Sequence, residues 1–298
     1  MPKNTSNTSS THKSRAKAKS NKAATVTNAQ AKSTTAKKPT VKMTTKPALR
    51  RADQYNDPKH NYLHYWEGRD YEDAAERMAI KRLVEGKHFR HAVDVGGGFG
   101  RLCIFLENYA DKVTLAEPSQ QQLDIAKDYL KDHREIDRKL LQAADLKFPD
   151  GSVDLLTTIR IWHHVPDPVQ EFKEIARVLS DDGYFIMEFA NYTHFRNRVK
   201  YALKGKKFPV NPVDIRSNEN RNEDELPFVN HNPKTVIKQL AHAGLRVETV
   251  LSVSNLRSPS LKKVLPTAVM LSAEKMMQKP LAGTYFGPSI FFLIRKAK

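Results

Sequence analysis

VDVGGGFGR, residues 93–101, joins an apolar run to a cluster of glycines. HAVDV (91–95) reads as a short buried strand, GGGFG (96–100) as a tight loop, and Leu102, Phe105, Leu106 and Tyr109 as one face of a helix that follows. Only glycine lets a backbone turn sharply and come within contact distance of a ligand. A dinucleotide fingerprint, G-x-G-x-x-G, would need a third glycine at 101, where the chain has Arg101. The pattern present is D-x-G-x-G-x-G, starting at Asp94. VTLAE (113–117) reads as the next strand, and it ends on Glu117, a carboxylate able to accept hydrogen bonds from both hydroxyls of a ribose.

The rest of the chain repeats this rhythm. On the N-terminal side, Ala75, Met78, Ala79 and Leu83 recur at helical spacing, with Gly86 placed as a C-terminal cap, and predict a helix over 71–85. On the C-terminal side, Ser119 is placed to cap a helix bearing Leu123, Ala126 and Leu130. Strands are predicted at 139–143 and 153–158. Asp167 and Pro168 open a helix running through Leu179, and GYFIMEFA (183–190) is a fifth strand. Asn232 and Pro233 repeat the start signal before a further helix, followed by strands at 245–253 and 290–294. Seven strands alternating with helices make an α/β fold, doubly wound around a mostly parallel Rossmann-like sheet. Two stretches break the alternation, 191–231 and 254–288. Ligands of such folds bind outside the carboxyl ends of the strands, so both are expected to be insertions on the substrate side.

Composition separates a tail from a body. The 298 residues carry a formal net charge of +17, but residues 1–51 hold 13 Lys and Arg and no Asp or Glu, leaving +4 for the remainder. Residues 1–50 are too poor in large apolar side chains to offset the entropy of ordering and are expected to be a disordered basic tail. Two roles stay open for it: weak nucleic-acid association through counterion exchange, or a solubilising extension. Residues 51–298 are expected to form one domain, with 51–88 as an N-terminal lid and helix. No apolar run approaches the roughly 20 residues of a membrane span. The lone Cys103 excludes an internal disulfide, and no signal-like apolar run lies near the N-terminus; a cytoplasmic location is expected.

With these pieces in order, the sequence resembles the class I S-adenosylmethionine-dependent methyltransferases, specifically the type 11 group that includes the quinone-biosynthesis C-methyltransferases. The resemblance is carried by VDVGGGFGR (93–101), TLAEPS (114–119), LKFPDGSVDLLTTIRIWHHVPDP (146–168) and ARVLSDDGYFIMEF (176–189). It implies S-adenosyl-L-methionine as cofactor, with Gly96, Gly98 and Gly100 along its amino-acid and ribose portion and Glu117 on the ribose hydroxyls. It also implies that the seventh strand is antiparallel. Where the family commonly has an Asp-Ala pair, this chain has Gln142 and Ala143, with Asp145 three residues after the glutamine. The adenine amino group then has Gln142 or Asp145 as acceptor. Lys147 stands where the family usually has proline. Tyr62, Tyr65, Trp66, Arg69 and Tyr71 suit a lid over the cofactor, or an arm packed on the sheet.

Methyl transfer from a sulfonium needs alignment and exclusion of water, and a base only if the acceptor must lose a proton. The candidates for that base are His163, just after the fourth strand, and Glu188, a carboxylate inside an apolar strand. His164 is read as structural and Cys103 as a core residue. No metal site is expected, the histidines lacking paired ligand spacing. Without the Asn/Asp-Pro-Pro-Tyr or Pro-Cys motifs of amino-group and cytosine methylases, the expected acceptor is a small molecule. An RNA or ribosomal-protein acceptor tethered by the tail, and a non-catalytic cofactor-binding module, are the alternatives.

Overall fold

The protein is described by a computed structural model over residues 55–57, 62–223 and 226–297. The expected tail, 1–50, lies outside them. The elements in chain order are α1 (Tyr62–Tyr65), α2 (Asp70–Leu83), β1 (Phe89–Val95), α3 (Cys103–Leu106), β2 (Ala110–Glu117), α4 (Gln120–Tyr129), β3 (Ile136–Leu140), β4 (Val153–Thr158), α5 (Val169–Val178) and β5 (Leu179–Ala190). There follow α6 (Phe195–Leu203), β6 (Val213–Asp214), α7 (Asn218–Glu223), β7 (Val229–Asn230), α8 (Pro233–His242), β8 (Leu245–Val253), α9 (Pro259–Val264), α10 (Thr267–Met277) and β9 (Ser289–Lys296).

Seven strands form one sheet in the order β3-β2-β1-β4-β5-β9-β8. The first five are mutually parallel, and β9 runs antiparallel to both β5 and β8. This is the doubly wound sheet with an antiparallel last strand that the sequence led to. Its side chains explain why the central strands read as unbroken apolar runs. In β9, Ile290, Phe292 and Ile294 pack into one core while Phe291 and Leu293 pack into the other, so both faces are covered by helices.

Several boundaries differ from expectation. The third strand lies at 136–140, not 139–143, because it is the edge strand and buries Ile136 alone while Leu140 is exposed. Apolar density therefore marked its end, not its centre. Leu179 opens β5 and does not close the preceding helix; it pairs with Val153, and pairing resumes at Leu155 and Tyr184 after a register shift. The helix after the glycine loop is one turn, Cys103–Leu106. Asp167 does not cap α5, which starts at Val169 without a side-chain cap. Ser119 and Asn232 do cap, accepting from Gln122 N and Lys234 N at 3.2 and 3.1 Å.

The stretch 254–288 supplies α9 and α10. The latter lies on α2, tied by the Tyr71 hydroxyl donating to Glu274 at 2.8 Å and Gln278 Nε2 donating to the Ala75 carbonyl at 3.1 Å. Tyr71 thus stands apart from the other aromatic residues of the expected lid.

Candidate functional site

Strand order reverses between β1 and β4, and a cavity of about 480 Å³ opens at their carboxyl ends. Its floor is the loop after β1. Gly96 and Gly98 have φ of +66° and +59°, and a Cβ at Gly96 would stand 2.5 Å from Ile161 Cγ2. Side chains at these two positions would strain the turn and fill the approach to the cavity. Gly100 stands outside the cavity lining, facing Leu130.

Glu117 ends β2 and lines the cavity. The Gly98 N–H donates to its Oε2 at 2.8 Å and the Ser119 N–H to its Oε1 at 3.0 Å, so the loop after β1 and the cap of α4 orient one carboxylate. Asp94 also lines the cavity. It is buried, accepts from the Thr157 hydroxyl at 2.6 Å, and burial pushes its carboxyl up to about 6. Gln142 and Ala143 contribute to the wall; Asp145 does not, its carboxylate lying 2.6 Å from Lys147 Nζ. Lys147 has φ of +51°, which the ring of a proline cannot reach. The unexpected lysine therefore accompanies a different loop path.

From the N-terminal side Tyr62 and Trp66 line the cavity. Tyr62 stacks on Tyr65 with centroids 5.2 Å apart, and burial raises the Tyr62 hydroxyl to about 12. Trp66 carries the Arg101 guanidinium 3.6 Å above its ring, with that of Arg160 at 4.9 Å. Beneath lies a charge network. Glu76, buried on α2, accepts from Arg101 Nη2 at 2.7 Å and Arg160 Nε at 2.6 Å, while Asp73 accepts from Arg101 and Arg77. Arg160 has φ of +63°, and its N–H donates to Glu188 Oε2 at 2.9 Å. Burial works against that guanidinium's charge, but Glu76 and Glu188 hold it protonated well beyond the ordinary arginine value.

The two base candidates are not at the cavity. Glu188 is buried, accepts from Arg160 N–H and from the Ser289 hydroxyl at 2.6 Å, and is pushed upward by burial despite Arg160. The His163 ring packs between His164 and Phe228, with centroids 3.9 and 4.5 Å away; burial, then His164 and Arg160, hold its pKa well below the usual value. His164 lines the cavity instead. Its Nδ1 lies 2.9 Å from the Pro227 carbonyl, which can only accept, so Nδ1 carries a proton; Nε2 lies 3.1 Å from the Tyr55 hydroxyl and accepts from it in the neutral ring.

Among the cavity residues and their supports that escaped the sequence reading are Arg160, Glu76 and Glu171. Glu171 lines the cavity from the first turn of α5, with its Oε2 buried and without a hydrogen-bond partner among the described residues, and burial raises its pKa. For Glu76 a signal existed, since Glu72, Glu76, Ala79 and Leu83 share one helical face that is otherwise core. Cys103 is buried in the core, as read from the sequence, and its thiol is pushed up by burial. Among the described residues no group of three His, Cys, Asp or Glu side chains is arranged for a metal, and no helix is long and apolar enough to cross a membrane.

Residues 93–187 match the family described as methyltransferase domain. The uncharacterised methyltransferase YcgJ of Bacillus subtilis is 26% identical over 143 residues, which are 47% of this chain and 53% of that protein. The methyltransferase GfsG of Streptomyces halstedii is 34% identical over 119 residues, 37% of this chain and 42% of its own. The chain thus spans about half the length of these relatives. A Thermotoga maritima structure described as an S-adenosylmethionine-dependent methyltransferase, possibly a histamine N-methyltransferase, superposes with a TM-score of 0.55 at 20% identity, covering 80% of this chain and 95% of that one, a likeness of fold. The glycine turn, the glutamate that ends β2 and the match to a methyltransferase domain all fall within the same stretch, residues 93–187.

Proposed function

We propose that the protein transfers a methyl group from S-adenosylmethionine to a small-molecule acceptor. The supporting observation is one cavity that joins the backbone of Gly96 to Gly98 with the Glu117 carboxylate beneath an aromatic lid. These residues fit the cofactor: a cradle at Gly96 that a Cβ would fill, an acceptor for two ribose hydroxyls, and in Gln142 and Glu171 acceptors for an amino group. Bound there, the cofactor supplies an activated methyl group on a sulfonium.

The chain's own residues hold and exclude. Glu117 fixes the ribose, the glycine loop admits close approach, and Tyr62 and Trp66 keep water out, which favours an in-line displacement. For an acceptor that must lose a proton, His163 and Glu188 are not placed to take it, because both stand outside the cavity lining.

Calorimetry of the full chain with S-adenosylhomocysteine is expected to show 1:1 binding; no binding sinks the reading. Incubation with methyl-labelled cofactor and, in parallel, a metabolite extract and an RNA-plus-ribosome fraction is expected to label a small molecule. Label confined to RNA or protein would replace the acceptor class, and binding without transfer would leave a cofactor-binding module.

A further inference from the structure

The helix α6 is mounted the wrong way round for a surface helix of a globular domain, which normally turns its apolar stripe to the core. Its inner face is polar and aromatic. Arg198 donates from Nε to the Thr193 carbonyl at 2.6 Å and from Nη2 to the Thr284 carbonyl. Asn197 Nδ2 donates to the Tyr192 carbonyl at 2.7 Å, and the Tyr201 ring stacks on Phe208 with its hydroxyl 2.8 Å from that of Tyr192. The apolar residues are the exposed ones, the Phe195 ring also stacking on Phe286 with centroids 4.9 Å apart. Phe195, Val199 and Leu203, spaced i, i+4, i+8, are 50%, 43% and 84% exposed.

One residue on from each lies a cation. Arg196, Lys200 and Lys204 are all exposed and form a second stripe about 100° round the helix, parallel to the first. Among the described residues none of the three forms an ion pair. From 191 to 213 the chain has six Lys and Arg and no Asp or Glu. A smaller cavity of about 200 Å³ at the foot of the basic stripe is lined by Tyr192, Lys200, Tyr201, Lys204 and Lys206, three ammonium groups and two phenols.

We infer that α6 docks the domain on the surface of an anionic phospholipid bilayer. The helix lies in the plane of the interface, with Phe195, Val199 and Leu203 in the acyl boundary, Arg196, Lys200 and Lys204 on headgroup phosphates, and one phosphate at the small cavity. Parallel aliphatic and cationic stripes match that layered target. A nucleic acid would satisfy the cations and leave the aliphatic stripe in water. A protein groove would cover the stripe but would need an unbroken acidic wall beside it.

The test is co-sedimentation of the full chain with vesicles of phosphatidylcholine alone or with one quarter phosphatidylglycerol. Binding is expected only to the anionic vesicles. V199S/L203S keeps every cation, including those of residues 1–51, and is expected to bind at least tenfold more weakly with an unchanged melting temperature. K200E/K204E is expected to lose binding as well. Leu203→Trp should shift its emission to the blue on anionic vesicles. Wild-type binding by V199S/L203S would overturn the inference, because the N-terminal cations would then suffice. So would displacement by millimolar inorganic phosphate, which would mark a soluble phosphate site. Concentration-dependent self-association, or RNA binding, lost in V199S/L203S without vesicle binding would assign the face to another occupant and overturn it equally.

Discussion

At the end of β2 Glu117 receives the N–H groups of Gly98 and Ser119 and lines the cavity; at the end of β5 Glu188 receives the N–H of Arg160 and the hydroxyl of Ser289 and does not. Both are buried carboxylates at the carboxyl end of a parallel strand. β2 and β5 each lie one strand from the switch point between β1 and β4, so what separates the two carboxylates is the loop beside each: the loop after β4 seats the Arg160 N–H on Glu188, while the glycine loop after β1 leaves Glu117 lining the cavity. On β2 the carboxylate faces the cavity. One strand beyond β4, on β5, the same chemistry is turned to holding Arg160 at a positive φ, and through Arg160 and Glu76 it braces the lid side of the cavity.

The largest expected effect breaks the β5 side. Glu76→Ala removes the shared partner of Arg101 and Arg160, whose side chains are 10% and 16% exposed, and should destabilise the fold by about 3–5 kcal/mol in urea unfolding. Asp94, on β1 between the two sides, gives a pH effect. Its carboxyl sits at about 6 against an ordinary 3.8, so the folded state binds the proton more tightly, and stability falls as pH rises from about 4 to 6. Asp94→Asn removes that loss, so its stability relative to wild type should climb by about 3 kcal/mol across the same window and stay level above it.

Glu117→Ala should weaken S-adenosylhomocysteine about 10- to 100-fold by calorimetry, the worth of a hydrogen bond to a charged group. Glu188→Gln should cost about 1–3 kcal/mol of stability and leave that affinity unchanged. Equal losses of affinity in the two variants would erase the distinction between the strand ends. The smallest change sharpens the β2 side alone: Ser119→Ala removes the cap of α4 and should cost about 1 kcal/mol by thermal unfolding.

Legibility followed the locality of the cause. The positive φ at Gly96 and Gly98, the caps at Ser119 and Asn232, and the strand-end position of Glu117 are set by neighbours in sequence, and each was readable from residues. The reading failed where burial came from elsewhere. Leu140 drew the third strand forward because nothing local says that β3 is an edge. Asp145 rivalled Gln142 on paper, and only the path of the loop through Lys147 turned one to the cavity and the other to solvent. His163 and His164 are adjacent and chemically identical, yet the fold packs one against Phe228 and gives the other to the cavity wall.

Apolar periodicity, glycine placement and the acid after the second strand were enough, by themselves, to specify a doubly wound sheet with a ligand site at its strand ends, because those constraints act within a few residues; the cofactor came from the family resemblance of four ordered motifs. Which carboxylates and guanidiniums meet one another was decided by tertiary structure alone. Glu76, Arg101, Arg160 and Glu188 are spread over 113 positions of chain and come within hydrogen-bonding distance only when α2, the loop after β1 and the ends of β4 and β5 close on one cavity. A buried charge is stable only with its partner present, and no partner here is a neighbour in sequence.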